Sequence, residues 1–182
     1  YAALASSFID SGVFEIAEFV VMQGLDHCGE DAALYNLLGV VKEKQGSATE
    51  ALNWYDRSIA LAPTYSPAWA NKGNINLRVG EVRAAEDAMI KAIAYEPTNV
   101  MALISLAIVQ MQTQRLEDSR ATLMKAIDVQ PDNAAARYNL AVLLLDYFKN
   151  RDDAIRLFHE VTLTKSGSAD LRAKAQEYLT EL

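Results

Sequence analysis

A chain of 182 residues, 51% of them hydrophobic, can bury a core without disulfides or a structural metal, and its single cysteine, Cys28, excludes a disulfide framework and any multi-cysteine metal site. The excess of 24 acidic over 17 basic residues, a net charge of −7, argues against nucleic acid as a partner, since such a module needs cations facing phosphates, and equally against an anionic membrane surface. No apolar run reaches the roughly 18–20 residues that span a bilayer, so no direct membrane insertion is expected.

Abundant Ala and Leu, few Gly and Pro, and no stretch of strict apolar/polar alternation favour helix throughout. Pro63, Pro97 and Pro131 stand 34 residues apart, and a period of that size orders the whole chain. Residues 1–31 are a first, partial unit that joins the pattern three residues in. Tyr1, Leu4 and Ala5 stand in a large-apolar, a leucine and a small column, Gly12 ends the first helix, and Ala17 lies on the second. The natural protein is therefore expected to extend beyond Tyr1. Residues 32–65 repeat the pattern with Tyr35, Leu38, Gly39, Gly46, Ala51 and Pro63; residues 66–99 with Trp69, Lys72, Gly73, Gly80, Ala85 and Pro97. In residues 100–133 the columns hold Leu103, Leu106, Ala107, Gln114, Ser119 and Pro131. In residues 134–168 they hold Arg137, Leu140 and Ala141, with Ala154 one residue late. The extra residue falls in a turn between Asp146 and Asp152 that Phe148 is expected to tuck down. Residues 169–182 predict a terminal helix, with Ser168 as N-cap, Asp170 in the first turn and an apolar stripe of Leu171, Ala175, Tyr178, Leu179 and Leu182. Arg172, Lys174, Gln176, Glu177 and Glu181 lie off that stripe, which gives a solenoid end its polar outer face.

Each column has a physical reason. Small residues at Gly39, Gly73 and Ala107, and at Ala51 and Ala85, let two antiparallel helices approach closely. The mid-unit glycine ends the first helix because it tolerates a left-handed cap. The proline ends the second, because it breaks the hydrogen-bond ladder and restricts the residue before it.

These residues resemble the tetratricopeptide repeat (TPR) family, whose pattern is Trp-x2-Leu-Gly-x2-Tyr, then Ala-x3-Phe, then Pro. One unit reads Tyr35-x2-Leu38-Gly39, Ala51-x3-Tyr55, Pro63; the next reads Trp69, Gly73, Ala85-x3-Met89, Pro97. The family's Tyr column holds Phe8, Lys42, Asn76, Gln110 and Leu144, and Arg137 replaces the large aromatic. The resemblance implies an all-α, right-handed superhelical solenoid of five TPR units with a C-terminal capping helix.

Candidates for chemistry are few. Asp26-His27-Cys28 lies at a helix end without a third or fourth metal ligand nearby, and His159 beside Glu160 reads as a solvated helix face. No phosphate-cradling glycine loop, Gly-x-Ser-x-Gly or His-Glu-x-x-His occurs, so no enzyme activity and no cofactor are expected.

In the TPR family the first helices line an inner groove. At groove-lining positions the C-terminal half carries Met101, Ile104, Ile108 and Met111, then Tyr138, Val142 and Leu145, while the N-terminal half offers Asn36, Glu43, Lys44, Asn74 and Arg78. Two readings stand side by side. Ile104, Ile108, Val142 and Leu145 fill gaps between neighbouring first helices, or they form a site for an apolar or amphipathic peptide, with Met101, Met111 and Tyr138 left exposed. The places that match the family's carboxylate clamp for chaperone tails hold Ala2, Ser6, Leu37, Pro67 and Asn71, without its cations, and the asparagine-ladder column reads Leu37, Asn71, Ser105 and Asn139. Neither ligand is implied. The expected function is a non-catalytic scaffold holding a protein or peptide partner in the groove. The alternatives are a regulatory or targeting arm of a larger protein, an enzyme or a cell-envelope assembly factor, and self-association through the N-terminal face. The compartment is open between cytoplasm and periplasm.

Overall fold

The computed structural model describes residues 1–181, so Leu182, the last member of the stripe expected on the terminal helix, lies outside the described residues. Among them are eleven helices and no strand. They form two compact bodies, Tyr1–Pro97 and Thr98–Leu182.

The N-terminal body holds α1 (Ala2–Asp10), α2 (Phe14–Cys28), α3 (Ala32–Lys44), α4 (Ala48–Leu61), α5 (Ser66–Arg78) and α6 (Val82–Tyr95). Each helix packs on the next, and the first helices α1, α3 and α5 also touch in a row. The sequence columns mark where these helices meet. Gly39 sits against the ring of Tyr55, and Gly73 against Met89, both partners being fully buried. Ala17, Ala51 and Ala85 are likewise sealed. The column breaker Lys72 turns its ammonium to Asp56 at 2.5 Å, and Lys42, which stands in the family's Tyr column, pairs with Glu18 at 2.7 Å. Trp69 donates its indole N–H to the Pro63 carbonyl at 2.8 Å and so ties the loop between α4 and α5 to the aromatic column.

The C-terminal body holds α7 (Val100–Gln112), α8 (Leu116–Val129), α9 (Ala134–Asp146), α10 (Arg151–Leu163) and α11 (Ala169–Glu181). Here α7, α9 and α11 form the row, with α8 and α10 packed beside them. One core of Ala107, Leu123, Ala141, Leu143, Phe158, Val161 and Ala175 runs through it. Ser119, in the alanine column, is buried and satisfied, donating to the Ala107 carbonyl at 2.9 Å.

The helix ends follow from local chemistry. Asp31, Asn99 and Asn133 cap α3, α7 and α9 by accepting the backbone N–H three residues on, at 2.9, 3.0 and 2.9 Å. Ser168 does the same for Leu171 at 3.1 Å, as the sequence predicts. Gly12, Gly46 and Gly80 have φ of 74°, 85° and 85°, the left-handed conformation that closes α1, α3 and α5. Gln114 takes that role at φ 60°, and Lys149 at φ 55° takes it one residue late. Phe148 in that turn packs against the C-terminal core, as expected.

Candidate functional site

In the N-terminal body the groove-lining side chains are tied together. Asn36 is 7% exposed and accepts from Asn71 at 2.9 Å, a bond between α3 and α5. Arg78 donates to Glu43 at 2.9 Å, and the Tyr55 hydroxyl donates to the other Glu43 oxygen at 3.0 Å. Burial, reinforced by the Glu43 charge, pushes the Tyr55 phenol far above its usual range, so it stays a neutral donor. Asn74 is half-buried on α5, and Lys44 is exposed at the end of α3. The arrangement is a polar surface on which Arg78 and the Tyr55 hydroxyl converge on Glu43.

In the C-terminal body α7 has no charged side chain. Met101 is 45% exposed, whereas Ile104, Ile108 and Met111 are half-buried. Met101 and Ile104 line an open depression of about 390 Å³ whose far wall is Gln130, Asn133 and Ala135. Such a volume lies within the range of ligand clefts and suits one or two apolar side chains. Tyr138, Val142 and Leu145 on α9 are half-buried and packed against the core. Tyr138 departs from the expected exposure because the terminal helix lies over it. Its ring meets Phe158 and Tyr178 edge-on at 5.8 and 6.2 Å, and burial raises its phenol pKa. Met111 is likewise drawn into the core cluster.

A second cleft, of about 520 Å³, escapes sequence reasoning. It lies between α8 and α10, above the apolar floor of Leu140, Leu144 and Leu157, with Arg120, Arg137 and Arg156 around it. Its signal in the sequence is Arg137, the residue that breaks the aromatic column. In the second and third repeats a cation sits beside the aromatic cluster: Arg57 lies 4.6 Å from the Trp54 ring, which stacks on Tyr35, and Lys91 lies 4.2 Å from the Trp69 ring. In the fifth repeat the cation moves to the aromatic position. Arg137 pairs with Glu160, which occupies the column of Arg57 and Lys91, at 2.9 Å.

His27 is exposed, with its Nδ1–H donated to the Gln23 carbonyl at 2.9 Å, and Cys28 is exposed. Among the described residues no group of three or more His, Cys, Asp or Glu is placed to hold a metal ion, and no helix is long and apolar enough to cross a membrane.

The family model for the cilia and flagella-associated protein 70 middle TPR-like domain matches residues 35–162, and a tetratricopeptide repeat model matches residues 3–66. The chain belongs to the tetratricopeptide repeat family, and its fold is an all-α solenoid of TPR repeats. The fold matches that of TTC0263, a thermophilic TPR protein of Thermus thermophilus, with a TM-score of 0.82 at 17% identity over 98% of this chain and 96% of that one. It also matches MamA, with a TM-score of 0.69 at 18% identity over 98% and 97% of the two chains. Among curated proteins, FlbA of Caulobacter vibrioides is 39% identical over 56 residues, a segment that spans 31% of this chain and 9% of FlbA. A TPR fold is that of a protein–protein interaction scaffold.

Proposed function

We propose that the protein is a non-catalytic scaffold that holds an apolar or amphipathic segment of a partner polypeptide against the first helices of its C-terminal body. The observation that carries this reading is Met101, 45% exposed over the depression it shares with Ile104 on a helix without charge. Methionine adapts to varied apolar partners, and a buried apolar side chain from the partner contributes roughly 1.5–3 kcal/mol before ordering costs. Ile108 and Met111 extend the surface along α7, and Tyr138, Val142 and Leu145 back it from α9. The polar residues Asn36, Lys44, Asn74 and Arg78 belong to the N-terminal body and would there form a separate surface for polar groups of a partner, with Arg78 giving up part of its pairing to Glu43.

The test is a peptide array on the parent chain and a Met101→Glu/Ile104→Gln variant, with folding checked by thermal melting. The variant is expected to lose its apolar ligands by tenfold or more, and parent binding to persist from low to high salt, since apolar contact is little screened. A folded variant that keeps every ligand, or parent binding that collapses with salt, removes this site. One observation favours a second reading, a regulatory or targeting arm of a larger protein: the similarity to FlbA is confined to 9% of that protein, so a related stretch of repeats occurs within a longer chain.

A further inference from the structure

In the second repeat a ring fills the space that the fifth repeat leaves open. Trp54 of α4 packs in one cluster with Leu25 of α2 and Leu38 of α3. It stacks on Tyr35 with centroids 5.7 Å apart and carries the Arg57 guanidinium 4.6 Å above it. In the fifth repeat the columns of Leu25, Tyr35 and Leu38 hold Ile127, Arg137 and Leu140. After the inserted residue, Leu157 stands in the column of Trp54 and Glu160 in that of Arg57. All five line the cleft of about 520 Å³ between α8 and α10. Leu157 is shorter than an indole and stays in the core, 6% exposed, while Arg137 turns to Glu160. Neither lays a ring over the floor as Trp54 and Tyr35 do. Met124 of α8 is left 50% exposed in the wall.

We propose that this cleft takes an aromatic side chain of indole size from a partner polypeptide, at a surface separate from the depression beside Met101. The charges around it select that chemistry. Arg137 and Arg156 share Glu160, at 2.9 and 3.7 Å, and Arg156 also holds Asp153 at 2.7 Å. Arg120 lies 3.7 Å from Glu117 and 5.8 Å from the Phe148 ring. An entering carboxylate would meet Asp128, Asp153 and Glu160 in the same lining, and an entering ammonium would meet the three arginines. A neutral ring meets neither penalty. Its negative π face attracts a guanidinium that keeps its carboxylate partner, and the planar guanidinium stacks on it. Arg120 and Arg156, with side chains 47% and 64% exposed, have the reach to lie over such a ring as Arg57 lies over Trp54. The Met124 thioether adds a sulfur contact at the ring edge.

Methyl NMR on the whole chain tests this, with an acetylated and amidated pentapeptide that carries tryptophan between two pairs of alanines. The same peptide with leucine or glutamate at its centre is the comparison. The tryptophan peptide is expected to bind with a dissociation constant on the order of 1 mM, and the other two at least about fivefold more weakly. Its ring-current shifts gather at Met124, Ile127, Leu140 and Leu157. Arg120→Gln/Arg156→Gln, at exposed positions, weakens it about threefold or more, with helicity and melting as controls. Leu157→Trp supplies the ring from within, as Trp54 does, and abolishes binding. Met101→Glu leaves it unchanged, which separates this cleft from the binding site on α7. The proposal is overturned by shifts that gather at Met101 and Ile104, or by a leucine or glutamate peptide that binds as well as the tryptophan one. Parent-like binding by a folded arginine double variant, or by a folded Leu157→Trp, overturns it as well.

Discussion

Gly39 and Gly73 share a column but meet different neighbours, and the difference sets what each tolerates. A Cβ on Gly39 would drive into the ring of Tyr55, which is fully buried and held by its bond to Glu43. A Cβ on Gly73 would come within 2.6 Å of the Met89 terminal methyl, an end that can swing aside. Alanine also gains about 1 kcal/mol of helix propensity over glycine. Gly39→Ala is therefore expected to cost about 1–3 kcal/mol and Gly73→Ala to be near neutral, read from urea midpoints. Equal losses at both sites would mean that the Tyr55 ring is as mobile as the methionine. The sequence showed both glycines as points of close approach, but it could not rank them without the partner's stiffness. Lys72 and Arg137 read as broken columns for a similar reason. Their complements, Asp56 and Glu160, stand 16 and 23 residues away on other helices, a pairing visible only once the packing is known. Gln110, in the family's Tyr column, remains uncompensated: it is 8% exposed and its side-chain oxygen finds no partner among the described residues.

At the scale of the element, the turns between paired helices show how a period survives substitution and insertion. The left-handed residue falls at Gly12, Gly46 and Gly80, then at Gln114, then 35 residues later at Lys149. The backbone keeps its cap geometry whatever the side chain, so the extra residue in the fifth repeat delays the cap and does not remove it. The inserted residue was legible as a one-step lag of Ala154. That Lys149 carries the left-handed position was not, because no glycine marks it. A non-glycine residue pays about 1 kcal/mol for this conformation. Gln114→Gly is expected to raise stability by about 0.5–1 kcal/mol, since the gain in the folded turn is partly offset by the greater freedom of the unfolded chain. Lys149→Gly gains less, because the ammonium of Lys149 donates to the Asp146 carbonyl at 2.6 Å and that bond is lost. Thermal melts of the two variants decide it. A lower midpoint for Gln114→Gly would show that its side chain contributes something the cap geometry does not.

For the molecule as a whole, the repeat pattern made the helix order legible from end to end, because a 34-residue period leaves few other ways to bury its apolar faces. It also marked the terminal helix and its apolar stripe, but not which rings that stripe would meet. Helix α11 extends the row of α7 and α9 and lays Tyr178 flat on Phe158, with ring centroids 4.7 Å apart and planes within 10°. Phe158 is 0% exposed, and Tyr138, expected to face the groove, is held edge-on beneath the same ring. In a nearest-neighbour array, the loss of such a contact is felt first by the repeat beside it. Tyr178→Ala removes the stacked ring and uncovers Phe158, so it is expected to cost the C-terminal body about 2–4 kcal/mol. Hydrogen exchange measures this directly: protection should fall in α10 and α11, and then in α9, while α3 and α4 keep theirs. Uniform loss along every helix would mean that the chain unfolds as one unit, and unchanged protection in α10 would mean that the core closes over Phe158 without the terminal helix.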